Sequence, residues 1–520
     1  MDPALRAGPA RARRPARGDQ ADPGPAAHRA RPGPGRPLRP RAPAPGRARP
    51  VNAIPVNPIP VTTPPENTPP ENTAPEDTAP ATAPPGPDAL SVWPGSAREE
   101  ADGRVLVGGV GLETVAARYG TPVYVLDEAE VRARCRAYRG AFPGACVHYA
   151  AKAFLCRAFA RWVEEEGLGL DVCSAGELEL AVAAGFPAGR ILFHGNAKSP
   201  EDLRAALRHG VGRVVIDDPV EIARLAATVD PGRRQGVMLR VTPDVAAGAH
   251  PKIRTGGEGQ KFGLSLRDGH ARHAIARILD QPRLRLTGLH CHLGSQITDV
   301  APYLVAVRRL VGLMSRVRDA HGVLLPELDI GGGHGIAYRP GDPVLDPAEL
   351  GRRVRAELAA GCARAGLPVP RLVVEPGRAV SGPAGVAVYR VLAVKRGPRR
   401  TFVAVDGGMS DNPRPALYGV RYAPRLLGRP PAEVAETETV TVVGRHCEAG
   451  DVLAEDVPLP VGVRPGDLLA LPAAGAYHLS MASSYNLVGR PPVVAVADGA
   501  ARLLVRRETA ADLRQRDVGL

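Results

Sequence analysis

The chain has 520 residues, a formal net charge of +13 and seven cysteines, which is too long for one ordinary domain and ample for a large core. The cysteine number is odd, with no Cys-x-x-Cys and no Cys/His ligand spacing, which argues against a disulfide framework or a structural metal site and for a reducing, cytoplasmic setting. No run of 18 apolar residues occurs and no hydrophobic core follows the first arginines, so neither a membrane span nor a secretory signal is expected.

Residues 1–95 read as a disordered Pro/Ala/Arg-rich arm. They hold 24 of the 55 prolines within the first 90 positions and repeat "TPPEN TPPEN TAPED TAPAT" from Thr63, a composition that cannot bury enough apolar surface to offset chain entropy. The first 50 residues carry 12 arginines against 3 aspartates, so their net charge equals most of the chain's positive excess. The arm has no lysine and no aromatic before Trp93, and a nucleic-acid partner is not expected. Residues 96–127, ending in "TPVYVLD", are expected to join a β domain formed later in the chain.

From about residue 145 short β-rich runs alternate with helical stretches such as Ala175–Ala184 and Glu201–His209. The runs are "ACVHYA" (145–150), "LGLDVC" (168–173), "RILFHG" (190–195), "RVVIDD" (213–218), "GVMLRVT" (236–242), "RLTGLHCH" (285–292), "ELDIGGG" (327–333) and "RLVVEPG" (371–377). Eight β/α units within residues 128–382 predict a (β/α)8 barrel. After Gly382 the segments "GVAVYRVLAVKR", "RTFVAVDGG", "ETVTVVGR", "DLLALPAAG" and "PPVVAVADG" predict an all-β sandwich or barrel domain over 383–520.

A (β/α)8 barrel builds its site at the C-terminal ends of its strands, and polar residues gather there: Lys152, Asp171, Ser174, Asn196, His292, Ser295, Gly331–Gly333 and Glu375–Arg378. Singly, each has a bland reading as a solvated lysine, a packed histidine or a tight turn. Together they suit one cofactor. A desolvated lysine amine forms a Schiff base with a carbonyl, glycine turns let main-chain N–H groups approach a phosphate, and a carboxylate keeps a pyridine nitrogen protonated.

The series "YAAKA", "DVCSAGEL", "FHGNAKS", "KFGL", "HCHLGSQ", "DIGGGHG", "EPGR", "HCEAGD" and "AGAYHLSMASSYN" resembles the fold-type III pyridoxal phosphate decarboxylases of the alanine racemase-like barrel class, and most of all the diaminopimelate decarboxylases. The resemblance covers about residues 105–515. It implies decarboxylation of meso-2,6-diaminopimelate to L-lysine, pyridoxal 5'-phosphate as cofactor and no metal. Lys152 would hold the cofactor, Glu375 its ring nitrogen, His292 its ring face, and Ser295, Gly332, Gly333, Gly377 and Tyr485 its phosphate, with Asp171 and Arg378 also at the cofactor. Arg378, Arg414, Tyr418 and Tyr477 would receive the substrate's distal carboxylate and Glu448 its distal ammonium. Cys447 would return a proton to the α-carbon, with His446 expected to tune the thiol. The resemblance further implies a homodimer in which Cys447 and Glu448 enter the partner's barrel. Ala449 and Ala197 stand where the family often has Ser and Asn, which touches positioning rather than chemistry. Two other readings stay open: a decarboxylase of another diamino or carrier-linked amino acid, and a catalytically inactive regulatory homologue.

Overall fold

A computed structural model of the chain describes residues 90–245, 247–248, 255–257, 259–430 and 436–519. The arm expected over residues 1–95 lies outside the described residues up to position 89. Its last six residues do not behave as an arm. Val92 and Trp93 are buried in an apolar cluster with Val105, Leu112, Val386 and Val494, because the indole offers more apolar surface than the surrounding prolines can keep in water.

Eight parallel strands form the barrel: Cys146–Ala150, Gly169–Val172, Ile191–Phe193, Arg213–Ile216, Gln235–Thr242, Leu284–His290, Glu327–Asp329 and Arg371–Val374. Each pairs with the next, and the eighth pairs with the first, which closes the ring. All eight strands expected from the sequence are present. They read as near-continuous apolar runs such as "ILF" and "RVVI" because helices cover the outside and side chains fill the inside.

The helices begin where the strand-end loops supply caps. Ser174 Oγ accepts from the Glu177 N–H at the start of Ala175–Ala183. Ser199 and Asp202 form a reciprocal capping box on Pro200–His209, and Asp218 and Asp346 cap Pro219–Thr228 and Pro347–Ala365. A side-chain oxygen satisfies N–H groups that the first turn leaves without partners, so the loops that start the helices also fix the rim.

Beyond the barrel, the strand Gly385–Arg396 is the centre of a sheet. It pairs antiparallel with Val123–Asp127, Leu468–Pro472 and Thr401–Val405, and Val123–Asp127 pairs in turn with Val493–Ala497. A strand made before the barrel is thus completed by strands made after it. The β-rich reading of residues 383–520 passed over a short helix, Arg414–Tyr418. Pro413 and Pro415 flank its start, where a missing N–H costs nothing and a fixed φ favours the first turn.

Candidate active site

Lys152 sits in the short turn Ala151–Ala153 that follows the first barrel strand. Its side chain is accessible, as an amine that must reach a ligand has to be. Partial enclosure works to lower its pKa, but attraction to Asp171, Cys173, Tyr477 and Glu375 outweighs that and raises it. The lysine is therefore a cation until a ligand displaces its proton.

Below it lies a buried cluster. Glu375 Oε1 meets His194 Nε2 at 2.6 Å and Glu375 Oε2 meets His290 Nε2 at 3.3 Å, while the same His194 nitrogen lies 3.7 Å from Asp171 Oδ1. Burial opposes the charge on every member. The histidines prevail at Glu375, whose carboxyl is held well below the usual range, and the two carboxylates raise the pKa of His194 against its burial. Desolvation pushes His290 down to about 3 and raises Asp171 and Asp329. His194, His290 and Glu375 together also have the composition of a metal site, but the 2.6 Å contact between His194 and Glu375 is a direct hydrogen bond.

The glycine turns lie on the same rim. A Cβ on Gly332 would stand 2.0 Å from the Glu375 carbonyl oxygen, and one on Gly333, where φ is +92°, 2.0 Å from that of Gly294. Only glycine fits at either place. The Gly332 N–H donates to His292 Nδ1 at 3.2 Å, which fixes the histidine as a neutral ring, and desolvation together with Lys152 and Arg240 lowers its pKa strongly. Ser295 Oγ accepts from Arg378 Nη2 at 2.6 Å, and Arg378 Nη1 donates to Tyr338 Oη at 2.5 Å. Gly377 caps the short helix that Arg378 begins.

Arg378 and Arg414 define the remaining wall. Both are buried, at 6% and 4% exposure, and both guanidiniums lie over Tyr477, at 4.7 and 5.6 Å from its ring centre. Arg414 also faces Tyr338 at 5.3 Å and Tyr418 at 5.9 Å. Among the described residues neither arginine has a carboxylate within ion-pair distance, and the Nε of each is buried without a partner. Arg414 is therefore not a solvated surface arginine. Two buried cations without a counter-ion are costly, and an anionic ligand resolves the cost.

A second group of predicted residues forms elsewhere on the surface. Cys447 and Glu448 are exposed. Asp451 shapes their loop by accepting from the His446 and Met409 N–H groups, at 2.8 and 2.6 Å. His446 does not act as expected: it is buried, with Nε2 on Ser410 Oγ at 2.8 Å and Nδ1 on Asn486 Oδ1 at 3.2 Å, and the Cys447 N–H shares that oxygen. Its ring nitrogens hold the loop rather than the thiol. Tyr485, expected at the phosphate, packs its ring on His446 at 5.4 Å between centroids and so joins the Cys447 group. Tyr477 is the tyrosine that joins the barrel site, its N–H donating to the Ala153 carbonyl at 2.8 Å, one residue from Lys152.

The sequence reading passed over His194, His290, Arg240, Tyr338 and Tyr422. His194 and His290 lie inside motifs it used, "FHGNAKS" and "HCHLGSQ", and His290 ends the sixth strand two positions before His292. Tyr338 and Tyr422 come from separate loops and meet edge to face, at 5.3 Å between ring centres, beside Arg414. No local pattern announces such a meeting.

A closed barrel with an amine at the first strand end, a cradle only glycine can form and a buried Glu/His cluster defines a pyridoxal phosphate-dependent decarboxylase of the alanine racemase-like class. Residues 128–382 match the model of the pyridoxal-dependent decarboxylase pyridoxal-binding domain. Over 427 residues the chain is 58% identical to the diaminopimelate decarboxylase of Actinosynnema pretiosum subsp. auranticum, covering 82% of this chain and 95% of that protein. It is 43% identical to the Bacillus subtilis diaminopimelate decarboxylase, covering 82% and 97%. The structure of the M. jannaschii diaminopimelate decarboxylase in complex with L-lysine superimposes with a TM-score of 0.77 at 31% identity, covering 82% of this chain and 98% of that one. The chain belongs to the diaminopimelate decarboxylase family.

Proposed function

We propose that this protein removes the carboxylate from the D-centre of meso-2,6-diaminopimelate, giving L-lysine and CO2, with pyridoxal phosphate as cofactor. The observation that carries the choice of substrate is the pair of buried guanidiniums, Arg378 and Arg414, stacked on Tyr477 without a protein carboxylate. A diamine-forming substrate has no second carboxylate to offer them; diaminopimelate does, and a planar fork suits it.

Pyridoxal phosphate, when bound, supplies a conjugated ring that accepts the electron pair left behind as CO2 departs. Lys152 is the amine that would hold the cofactor and give way to the substrate's amine. Glu375, anionic between two histidines, is suited to hold a proton on the ring nitrogen. His292 would offer the ring a neutral face. Gly332, Gly333 and Gly377, with Ser295, would supply N–H and hydroxyl donors for the phosphate. Asp171 balances the Lys152 charge. Arg378 and Arg414, backed by Tyr418 and Tyr477, take the distal carboxylate.

The barrel thiol at this site, Cys173 beside Asp171, is made a poor acid by burial and by that carboxylate, and Cys447 with Glu448 stands exposed on the β-rich part of the chain. We assign them to a homodimer in which Cys447 of the partner subunit protonates the α-carbon and its neighbour Glu448 meets the distal ammonium. Tyr485 and Leu487, 40% and 76% exposed, are the apolar surface beside that loop which a second copy would cover. The test of the reaction is product analysis: equimolar CO2 and L-lysine from meso-diaminopimelate, with no turnover of ornithine or lysine. Turnover of another diamino acid in its place, or a chain that binds the cofactor without turnover, would establish one of the two other readings.

A further inference from the structure

The cluster beneath Glu375 is more elaborate than a single counter-charge requires. A glutamate's terminal torsion is broad, so one buried alone can turn its carboxylate plane freely. Here each oxygen has its own histidine, His194 on Oε1 at 2.6 Å and His290 on Oε2 at 3.3 Å. The two imidazoles brace each other edge to face at 4.8 Å between centroids. All three side chains are more than nine-tenths buried, and His194 Nε2 also reaches Asp171 at 3.7 Å, beside Lys152.

We propose that His194 and His290 are positioning residues that lock the plane of Glu375 toward the cofactor's ring nitrogen, and that His194 links that end of the site to Asp171 at the lysine end. This rests on the reading of Glu375 as the ring nitrogen's partner. Neither histidine touches substrate. Their effect is on the orientation and charge of a carboxylate that the cofactor itself senses.

The test uses the full-length, cofactor-loaded enzyme with His194→Leu, His194→Gln and, as reference, Glu375→Ala. His194→Leu is expected to lower kcat about 10-fold or more, the scale of a lost charge-assisted hydrogen bond, with KM within about threefold. It should also change the visible absorbance of the bound cofactor and weaken its dissociation constant about 10-fold. His194→Gln keeps an N–H near Oε1 and should restore kcat to within about threefold of wild type. Wild-type absorbance and kcat in His194→Leu would overturn the proposal, as would a glutamine variant no better than leucine at equal melting temperature. If Glu375→Ala itself left absorbance and kcat unchanged, the reading of Glu375 would fall. A defective Glu375→Ala beside a normal His194→Leu would remove this inference alone. Should the leucine variant not fold, His290→Gln against His290→Leu carries the same comparison on Oε2.

Discussion

The barrel rim and the Cys447 loop hold the two halves of one proposed chemistry and are built on opposite principles. At the rim, Glu375 is answered by two histidines, Lys152 by Asp171 and the neutral His292 ring by the Gly332 N–H, all inside the chain, while the buried Arg378 and Arg414 are left for an anionic ligand. In the loop, Asp451 and Asn486 fix the backbone while Cys447 and Glu448 are left in solvent. Groups that hold a cofactor have to be oriented before it arrives, since reorganising them afterwards takes away from binding. A proton donor needs a fixed backbone and a low-dielectric setting only when the reaction occurs, and a second subunit can supply that setting.

The largest effect should come from separating the halves. Lys152→Ala and Cys447→Ala are each expected to abolish measurable decarboxylation, while a randomly exchanged mixture should recover about a quarter of wild-type activity, because a closed two-fold mixed dimer has one site with both lesions and one with neither. Background activity in a verified mixture of inactive variants would place Cys447 in its own chain's site and end the comparison.

Next in size, Arg414→Ala should raise KM for diaminopimelate about 10- to 150-fold by removing a charge-assisted fork, with cofactor absorbance unchanged. Kinetics within about twofold of wild type would detach Arg414 from the substrate.

A third prediction concerns packing. Trp93→Ala should destabilise the fold by about 3–5 kcal/mol, the usual range for a buried Trp or Phe, read as a lower urea midpoint at constant slope. A chain begun at Leu90 keeps Val92 and Trp93 and should match the full-length protein in cofactor content and activity. A start at Ser96 should show the tryptophan defect.

The smallest effect per group is acid lability. Burial lowers His148 to about 4 and His290, His334 and His478 to about 3, against about 6.5 in the unfolded chain. Between those values the unfolded state binds protons that the folded state refuses, so stability falls with pH, by about 1.4 kcal/mol per pH unit for each histidine. The loss begins near pH 6.5 and continues to the depressed values. Asp411, raised to about 7 by burial, works in the opposite sense between about pH 7 and 4 and offsets roughly one of the four. Three of the histidines belong to the barrel and one to the β-rich part. His478→Asn should therefore flatten the melting temperature's pH dependence by about a third, and an unchanged slope would show that these rings are not the source.

Local chemistry made the eight barrel strands legible, because a strand buried on both faces must be apolar throughout and its successor must lie one helix away. The chemistry of the strand-end residues was legible too: only a lysine makes the Schiff base, and only glycine lets a carbonyl stand 2.0 Å from where a Cβ would be. The same local reasoning extended the arm to residue 95, since proline density hid a tryptophan whose partners, Val386 and Val494, lie about 300 residues or more further along.

Which tyrosine serves which site was decided by tertiary structure alone. Tyr477 and Tyr485 are eight residues apart in one motif, yet one stacks under two arginines at the barrel and the other lies on His446 in the Cys447 loop. The anchoring of Glu375 is of the same kind. Histidines from the third and sixth strands meet a glutamate following the eighth because a closed barrel points alternate residues to one axis. Sequence set the strand period and the reactive residue types, which depend on neighbours along the chain. Pairing across the axis and between loops depends on how the ring and the sheet close, and that enthalpy of contact is not written at any single position.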